Sequence, residues 1–365
     1  MYKIGIECES IEDQSWGVGR IVTKLLKEIS QKPELEKEFK FFLYFKSRIP
    51  DLPFLDNPIF VKKVIGPSCS FSLYYYFWLP IRTWFDRLDS VFFPNYMLPL
   101  IFCGKSLVIL TEDVYQEFTS GALPFRYKLA YRIFTSWAAK HATKIMAISE
   151  TSKKEVARLF KISPDKIAIN SLGVDMPKAK FEGQKENYIL YVGQAFPRRH
   201  LKETMLAFEK ISSQFTELKL IAIGYDKYNP PIIKDLKNKI NKKLGGERII
   251  YKEYVSEQEL GELYSKAQAT IYVSSKEAFG LPPLESLAHG TVPVVSDNEL
   301  NHEIYGNDAF FVKNPESIDS LAETITEALN NDPKRNNVLA ASSGILKKYS
   351  WHSHAERFLA IVRNI

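Results

Sequence analysis

Short apolar runs alternate with helical patterns through the first half of the chain. Because the runs are apolar on both faces, they predict strands buried on both sides of a sheet rather than strands with one solvent-exposed face. The predicted strands lie at 2–7, 41–45, 90–93, 106–110, 144–149 and 167–170, and the clearest helical patterns at 19–30, 125–140 and 152–161. Strands that alternate with helices predict crossover units and a parallel sheet.

The second half starts the same pattern again. The predicted strands are 188–193, 218–224, 248–251, 269–274 and 292–296, and the predicted helices 200–214, 230–243, 256–267, 283–289 and 317–330. Between the halves, residues 171–187 are polar, contain Gly and Pro and lack periodicity, which is typical of a linker. We therefore predict two doubly wound α/β domains, with a cleft between them at the carboxyl ends of the strands.

Two serines stand where helices are expected to begin. Ser152 is followed by Glu155, and Ser256 by Glu259, which is the spacing of a capping box. Each serine is therefore predicted to be the N-cap of its helix.

Residues 71–101 depart from this rhythm because they concentrate aromatic side chains. Proline, arginine and aspartate interrupt every apolar stretch before it reaches the ~18–20 residues that a membrane-spanning helix needs. Two interpretations remain open: an aromatic packing segment under the first domain, or a half-buried surface that faces a membrane interface or an acceptor.

Composition narrows the class of protein. The 365 residues suffice for two domains, and 45% hydrophobic with 25% charged residues excludes disordered, coiled-coil and collagen-like chains. Cys8, Cys69 and Cys103 have no CxxC spacing, which argues against a disulfide framework and a zinc site. The start of the chain lacks a signal-peptide pattern, so we expect a cytoplasmic protein.

The formal charge of +6 is uneven, with +7 in residues 1–180 and −1 in residues 181–365. The first half is thus the part suited to an anionic surface, such as the inner face of a membrane. A solvated surface with a mild bias explains the same numbers, and both interpretations stay open.

The most informative stretch is EAFGLPPLE at 277–285. A turn at Gly280 precedes two prolines, which suit the start of a helix, so the backbone N–H groups of Phe279, Gly280 and Leu281 are predicted to be free for phosphate or sugar oxygens. Glu277 before the turn and Glu285 in the helix suit hydrogen bonding to several hydroxyls. An ordinary strand–loop–helix corner is the alternative.

The complete string resembles the Glu-x7-Glu signature of retaining glycosyltransferases of family 4. Further segments resemble that family in the expected order, so the resemblance covers most of the chain. They are the glycine loop WGVGR with Gly17 and Gly19, the strand and helix at 144–160, the crossing at 169–175, the basic pair Arg198 and Arg199, and the stretch 253–267, whose backbone near Val255 corresponds to the nucleobase contact.

The resemblance implies a GT-B fold, with two facing Rossmann-like domains. Residues 1–175 correspond to the acceptor-side domain and 176–349 to the nucleotide-sugar domain, with a C-terminal helix at about 350–365 that returns to the first. The implied reaction transfers a sugar from a nucleoside diphosphate sugar, most simply a GDP- or UDP-sugar, to an acceptor hydroxyl. A glycan or lipid-linked acceptor in cell-surface polysaccharide or glycolipid synthesis is the expected partner.

The resemblance also assigns roles. Glu285 is expected to bind the ribose and Glu277 the transferred sugar, while Arg198, Arg199 and the amides of 279–281 neutralise the diphosphate. Fixed guanidinium groups and helix N–H donors stabilise a leaving diphosphate without a metal. Since Asp and His do not cluster at metal-ligand spacing, we expect neither metal nor cofactor.

Three positions depart from the family pattern. Gln194 stands where many members have Arg, and Arg199 where they have Lys. Where many members carry a His-Asp pair, this chain has Glu112 and Asp113. Asp113 stays a catalytic candidate, but a carboxylate at 112 only accepts hydrogen bonds where an imidazole also donates. A catalytically silent nucleotide-sugar-binding or membrane-surface protein is therefore the alternative, and nucleic-acid binding is a weaker third, since no such module is present.

Overall fold

The structure is a computed structural model that describes residues 1–13, 17–65, 70–112, 125–177, 181 and 183–365. The chain forms two units. Residues Met1–Gly173 and Trp351–Ile365 make the first, and Val174–Ser350 make the second.

The first unit is built on a seven-stranded parallel sheet with the order β3-β2-β1-β4-β5-β6-β7. The strand order reverses beside β1, so the switch point lies between β1 and β4, where ligands of open α/β sheets bind at the carboxyl ends. The described elements are β1 (Tyr2–Glu7), α1 (Val18–Ser30), β2 (Phe39–Phe45), β3 (Phe60–Val64), α2 (Phe71–Leu73), a π turn (Tyr74–Trp78), α3 (Leu79–Phe85), β4 (Ser90–Phe93), β5 (Ser106–Ile109), α4 (Phe125–His141), β6 (Lys144–Ala147), α5 (Glu150–Phe160) and β7 (Ile167–Ile169).

The aromatic segment 71–101 is partly buried in the core and partly exposed. Its first part is the helical run α2, π turn and α3, in which Tyr74, Tyr75 and Leu79 are fully buried in the core. Trp84 and Phe85 on the same run are 73% and 66% exposed. One side of the run is therefore core, and another presents large apolar side chains to solvent.

The second unit contains a six-stranded parallel sheet with the order β10-β9-β8-β11-β12-β13. Its switch point lies between β8 and β11. The elements are β8 (Tyr188–Val192), α6 (Leu201–Ile211), β9 (Lys219–Ile223), α7 (Ile233–Leu244), β10 (Ile249–Lys252), α8 (Glu257–Lys266), β11 (Ala269–Tyr272), α9 (Leu281–Ala288), β12 (Val292–Ser296), α10 (Glu299–Tyr305), β13 (Phe310–Val312), α11 (Ile318–Asn330) and α12 (Asp332–Lys348).

The last helix, α13 (Trp351–Arg363), belongs to the first unit. Phe358 packs edge-on against Phe92 of β4. Arg357 donates to the carbonyl oxygen of Ser171, and Arg363 forms a two-pronged ion pair with Glu38. Apolar and charged contacts together hold this helix on the first sheet.

All eleven predicted strands are confirmed, but the sequence analysis missed β3 and β13. Strand β3 has the sequence FVKKV, and as an edge strand it carries lysines where an inner strand is apolar. The N-cap prediction for Ser256 is confirmed, since its side chain accepts from the N–H of Glu259. The prediction for Ser152 is wrong: Ser149 caps α5, and Ser152 lies in its first turn. The preceding Ser149 is itself a capping residue, and it takes the position one turn earlier.

Candidate functional site

The switch point of the second sheet brings a cation and an anion together. Arg199 follows β8 and Glu277 follows β11, and Arg199 Nε donates to Glu277 Oε1 at 2.5 Å. The two side chains are only 18% and 11% exposed. Burial lowers the pKa of Arg199, but the neighbouring Tyr272 and Glu277 outweigh it and hold the pKa above its usual value. The guanidinium therefore stays charged, with its remaining N–H groups available to an anion.

The turn that carries the arginines is tied to the loop after β11. Residues Pro197–Arg199 form a single 3₁₀ turn. The carbonyl oxygen of Arg198 accepts from the N–H of Ser275 at 2.9 Å. His200 Nε2 lies 2.6 Å from Ser275 Oγ, and the Arg198 guanidinium lies 4.4 Å from the centre of the Phe196 ring. The backbone of the turn is thus fixed to the loop after β11, and the Arg198 side chain lies against Phe196 of its own segment.

Helix α9 begins with unpaired backbone donors. Gly280 is its N-cap with φ +86°, a conformation that side chains disfavour, and a Cβ there would lie 3.1 Å from the Tyr272 ring. Within the described residues, the N–H groups of Phe279, Gly280 and Leu281 have no acceptor. Pro282 and Pro283 remove two further N–H groups from the first turn. The helix therefore offers a small group of donors to an anion or a sugar oxygen.

Glu285 lies one turn into α9 and is half-buried. Tyr264 of α8 donates its hydroxyl to Glu285 Oε2 at 3.0 Å. Val255, in the loop before α8, belongs to the same apolar cluster as Tyr264 and is 7% exposed. Tyr264 thus bonds to Glu285, the predicted ribose residue, and shares an apolar cluster with Val255, the predicted nucleobase residue.

The remaining predicted site residues belong to the first unit. Gly17 is the N-cap of α1 and Gly19 lies in its first turn. Glu112 is buried, and Ser152 donates to its Oε2 atom at 2.6 Å. Asp113 lies outside the described residues, as does Cys69.

Sequence reasoning missed His200, Ser275 and Tyr264. Each acts by orienting another residue, and only the fold makes these neighbours visible. His200, directly after the arginine pair, has φ +48°, an uncommon angle for a non-glycine residue that the structure alone reveals.

In the described part of the chain, no three His, Cys, Asp or Glu side chains come together as they would around a metal ion. Over the same residues, no helix is both long and apolar enough to span a membrane.

Comparison with known proteins adds to this geometry. Residues 175–342 match the family model for glycosyl transferases group 1. The matched residues lie within the second unit. The prediction that the chain is a glycosyltransferase is thereby confirmed.

Three relatives are similar to this glycosyltransferase over part of its length. The O-antigen chain mannosyltransferase RfbU of Salmonella typhimurium is 27% identical over 69% of this chain and 68% of its own length. The O-antigen chain mannosyltransferase B of Escherichia coli is 28% identical over 58% of both chains. The GDP-mannose:cellobiosyl-diphosphopolyprenol alpha-mannosyltransferase of Xanthomonas oryzae is 22% identical over 70% of this chain and 67% of its own.

The fold has a close counterpart among solved structures. WaaG, a glycosyltransferase involved in lipopolysaccharide biosynthesis, superimposes with a TM-score of 0.69 over 99% of each chain, at 18% sequence identity. The predicted GT-B fold is confirmed.

Proposed function

We propose that this glycosyltransferase transfers mannose from GDP-mannose, with retention at the anomeric carbon, to a hydroxyl of a glycan acceptor in cell-surface polysaccharide synthesis. The observation that carries the proposal is the arrangement at the second switch point: Arg199 held by Glu277, beside a helix start with free N–H groups. The mannosyltransferase relatives support the sugar, and the relative that uses GDP-mannose supports the nucleotide.

In this proposal the second unit binds the donor. Arg198, Arg199 and the amides of Phe279–Leu281 stabilise the diphosphate, whose charge grows as the glycosidic bond breaks. Glu277 accepts hydrogen bonds from hydroxyls of the transferred mannose, and it also fixes the Arg199 side chain. Glu285, steadied by Tyr264, accepts from the ribose hydroxyls, and the backbone near Val255 meets the base.

Bond breaking and bond making take place on one face of the sugar. The bond between the anomeric carbon and the phosphate oxygen breaks, and the acceptor oxygen bonds to the same carbon. The acceptor's proton passes to the leaving phosphate oxygen. This route needs orientation and charge stabilisation rather than a protein nucleophile or a metal.

Gly17, Gly19 and Asp113 are proposed to serve the first unit's side of the reaction, with the two glycines close to the diphosphate. Glu112 takes the position of the family's histidine, and as a buried acceptor bonded to Ser152 it plays a structural part there.

We further propose that the first unit touches an anionic membrane surface, with a lipid-linked glycan as acceptor. Phe77, Trp84 and Phe85 are 46%, 73% and 66% exposed on the helical run 71–85. Arg82 and Arg87 are exposed beside them. Aromatic side chains with neighbouring cations suit the interface of an anionic bilayer.

Release of GDP from GDP-mannose without acceptor tests the function, because a working site leaks some product while a silent binding protein releases none. We expect slow release of GDP from GDP-mannose and still slower release of UDP from UDP-glucose. A chain that binds GDP-mannose but releases no GDP, with or without mannoside acceptors, is a silent binder, and the proposal fails.

A further inference from the structure

The first unit has a buried carboxylic acid at its own switch point. Glu7 is the last residue of β1, and it is 0% exposed. Strand β1 pairs with β4 up to Ile6 and Phe92, so Glu7 stands at the carboxyl end of the two strands between which the order reverses. The roles proposed above do not use this group.

Three donors surround the Glu7 carboxyl. Its Oε1 atom accepts from the N–H of Glu9 at 2.8 Å and from Tyr74 Oη at 3.2 Å. Its Oε2 atom accepts from Asn95 Nδ2 at 2.7 Å. A buried acid with every oxygen engaged holds the groups around it in fixed orientations.

The arrangement toward Asn95 is the same in both protonation states of Glu7. Burial, followed by the charge of Glu9, raises the pKa of Glu7 to about 8. When Glu7 is neutral, its proton fits on Oε1 and points to Tyr74 Oη, which then donates to the carbonyl oxygen of Tyr44 at 3.1 Å. The Oε2 atom accepts from Asn95 either way.

Asn95 is therefore an oriented amide at the edge of the sheet. It is half-buried and follows β4, in a loop that Tyr75 anchors by donating to the carbonyl oxygen of Met97 at 2.8 Å. Because Asn95 Nδ2 donates to Glu7, the other prong of the amide, Oδ1, is left as the outward acceptor. Within the described residues Oδ1 has no partner, and it is not an enclosed orphan atom.

We propose that Asn95 Oδ1 accepts a hydrogen bond from a hydroxyl of the acceptor glycan, and that Glu7 is the positioning residue that turns this oxygen outward. The inference rests on the proposed function, since it gives a sugar acceptor to the first unit. Carbohydrate hydroxyls donate readily to an amide oxygen, and the switch point is where an open α/β sheet receives its ligand.

A single change inverts the amide without removing its partner. In Glu7→Gln, the Gln side-chain oxygen accepts from the N–H of Glu9 and from Tyr74 Oη. The new Nε2 atom therefore faces Asn95. Two N–H groups do not pair, and Asn95 turns over so that Oδ1 accepts from Gln Nε2. The buried hydrogen bond survives, but Asn95 now presents an N–H donor outward.

The double variant Glu7→Gln/Asn95→Asp restores the outward oxygen. One carboxylate oxygen at position 95 accepts from the Gln side chain, and the other again faces the ligand. A purely structural role predicts little effect of Glu7→Gln, because the hydrogen bond is kept. A positioning role predicts a loss in Glu7→Gln and recovery in the double variant.

The experiment measures transfer from GDP-mannose to octyl α-mannoside by the full chain, together with GDP release without acceptor and the thermal midpoint. We expect Glu7→Gln to lower kcat/KM for octyl α-mannoside about tenfold, the effect of one lost hydrogen bond, with GDP release and thermal midpoint near wild type. The double variant should recover to within about threefold of wild type. Glu36→Gln, at an exposed position of the same unit, is the control and should match wild type.

The outcomes separate the two proposals. Three results overturn the Asn95 proposal while wild type still releases GDP without acceptor. They are equal transfer by wild type and Glu7→Gln, no recovery of transfer in the double variant, and a wild type that neither binds the mannoside nor transfers to it. A wild-type chain that releases no GDP, with or without the mannoside, refutes the proposed function instead.

Discussion

Arg199 Nε and Glu277 Oε1 lie 2.5 Å apart, although the residues are separated by 78 positions in the chain. Each follows a different strand of the second sheet, and those strands flank its switch point. Glu277 thus holds a largely buried guanidinium in place before any ligand arrives. In the proposed function, this preorganisation lowers the free-energy cost of binding a diphosphate and of stabilising its developing charge.

Replacing Arg199 should damage turnover severely. We expect Arg199→Ala to lower kcat/KM for GDP-mannose by about 10²-fold or more, the scale of losing one preorganised charge contact. Arg199→Lys keeps a charge but loses the two-pronged geometry of the guanidinium. Its kcat/KM should therefore lie between those of Arg199→Ala and wild type.

The control for this series is Lys219→Ala, which removes an exposed cation at the start of β9. It should turn over like wild type. Unchanged kinetics in Arg199→Ala would remove this residue from the site.

The hydroxyl of Tyr264 should affect donor binding through Glu285. In Tyr264→Phe, Glu285 loses a hydrogen bond at Oε2, and we expect the KM for GDP-mannose to rise by about three- to tenfold, as for one ordinary hydrogen bond. Tyr188→Phe is the matched control, because its hydroxyl donates to the backbone of the same helix, at Leu263. Both variants should lose about 1 kcal/mol of unfolding free energy, but only Tyr264→Phe should alter KM. Equal KM values would show that the tyrosine does not act through the site.

Gly224 follows β9 where the backbone passes very close to the end of β8. A Cβ there would lie 2.0 Å from the carbonyl oxygen of Gly193, and Gly224 has φ +138°. We expect Gly224→Ala to shift the thermal midpoint down by several degrees or to prevent folding of the second unit.

Gly344→Ala is the contrasting change. Gly344 lies exposed inside α12, with nothing within 4 Å of a new Cβ, so alanine should stabilise the helix by about 0.5–1 kcal/mol. Thermal unfolding of both variants checks the geometry without reference to any substrate. A Gly224→Ala protein as stable as wild type would contradict the close approach.

His354 should make the first unit sensitive to acid. Burial lowers the pKa of His354 from 6.5 to about 4, although its Nδ1 atom is bonded to the carbonyl oxygen of Ser171. Since the folded state disfavours the proton, the stability from this group is complete above pH 6.5 and is lost as the pH falls toward 4. The full effect is roughly 3 kcal/mol.

Denaturant unfolding at pH 7 and pH 5 measures this effect. His354→Gln should be less stable at pH 7 but should lose less between the two values than wild type. His352→Gln, at an exposed site, should keep the wild-type difference. An identical pH response in all three proteins would contradict the assignment.

Trp84 and Phe85 should carry membrane binding. We expect Trp84→Ser/Phe85→Ser to reduce the bound fraction on vesicles of phosphatidylcholine and phosphatidylglycerol by about threefold or more, because two exposed aromatic side chains no longer enter the interface. Ile49→Ser, which removes a 41% exposed apolar side chain from the same unit, is the control. Equal vesicle binding by both variants would place the membrane contact elsewhere in the chain. Wild-type binding that does not change with salt would contradict an electrostatic contact with the anionic surface.

The sequence predicted the alternation of strands and helices well, because buried parallel strands are apolar throughout and are separated by clear helical patterns. Strand β3 escaped, since an edge strand carries lysines like any surface segment. The N-cap of α5 was misplaced by one turn, because Ser149 and Ser152 are both capping residues and the choice depends on packing.

The sequence suggests the candidate site residues one by one, but it does not show how they are arranged. The string at 277–285 indicates a helix start with free N–H groups, and the structure has one there. That Arg199 is held by Glu277, that Tyr264 supports Glu285 and that Glu7 orients Asn95 are contacts between distant segments. The local sequence pattern does not predict such contacts, because they form only when the strands take their order in the sheet.

The central claim is that the second unit binds a nucleoside diphosphate sugar at the switch point between β8 and β11. Calorimetric titration of GDP-mannose into wild type and Arg199→Ala tests it most directly. The account predicts one molecule bound per wild-type chain and at least about tenfold weaker binding to the variant. No heat of binding with wild type, or equal affinity in the two proteins, would contradict it.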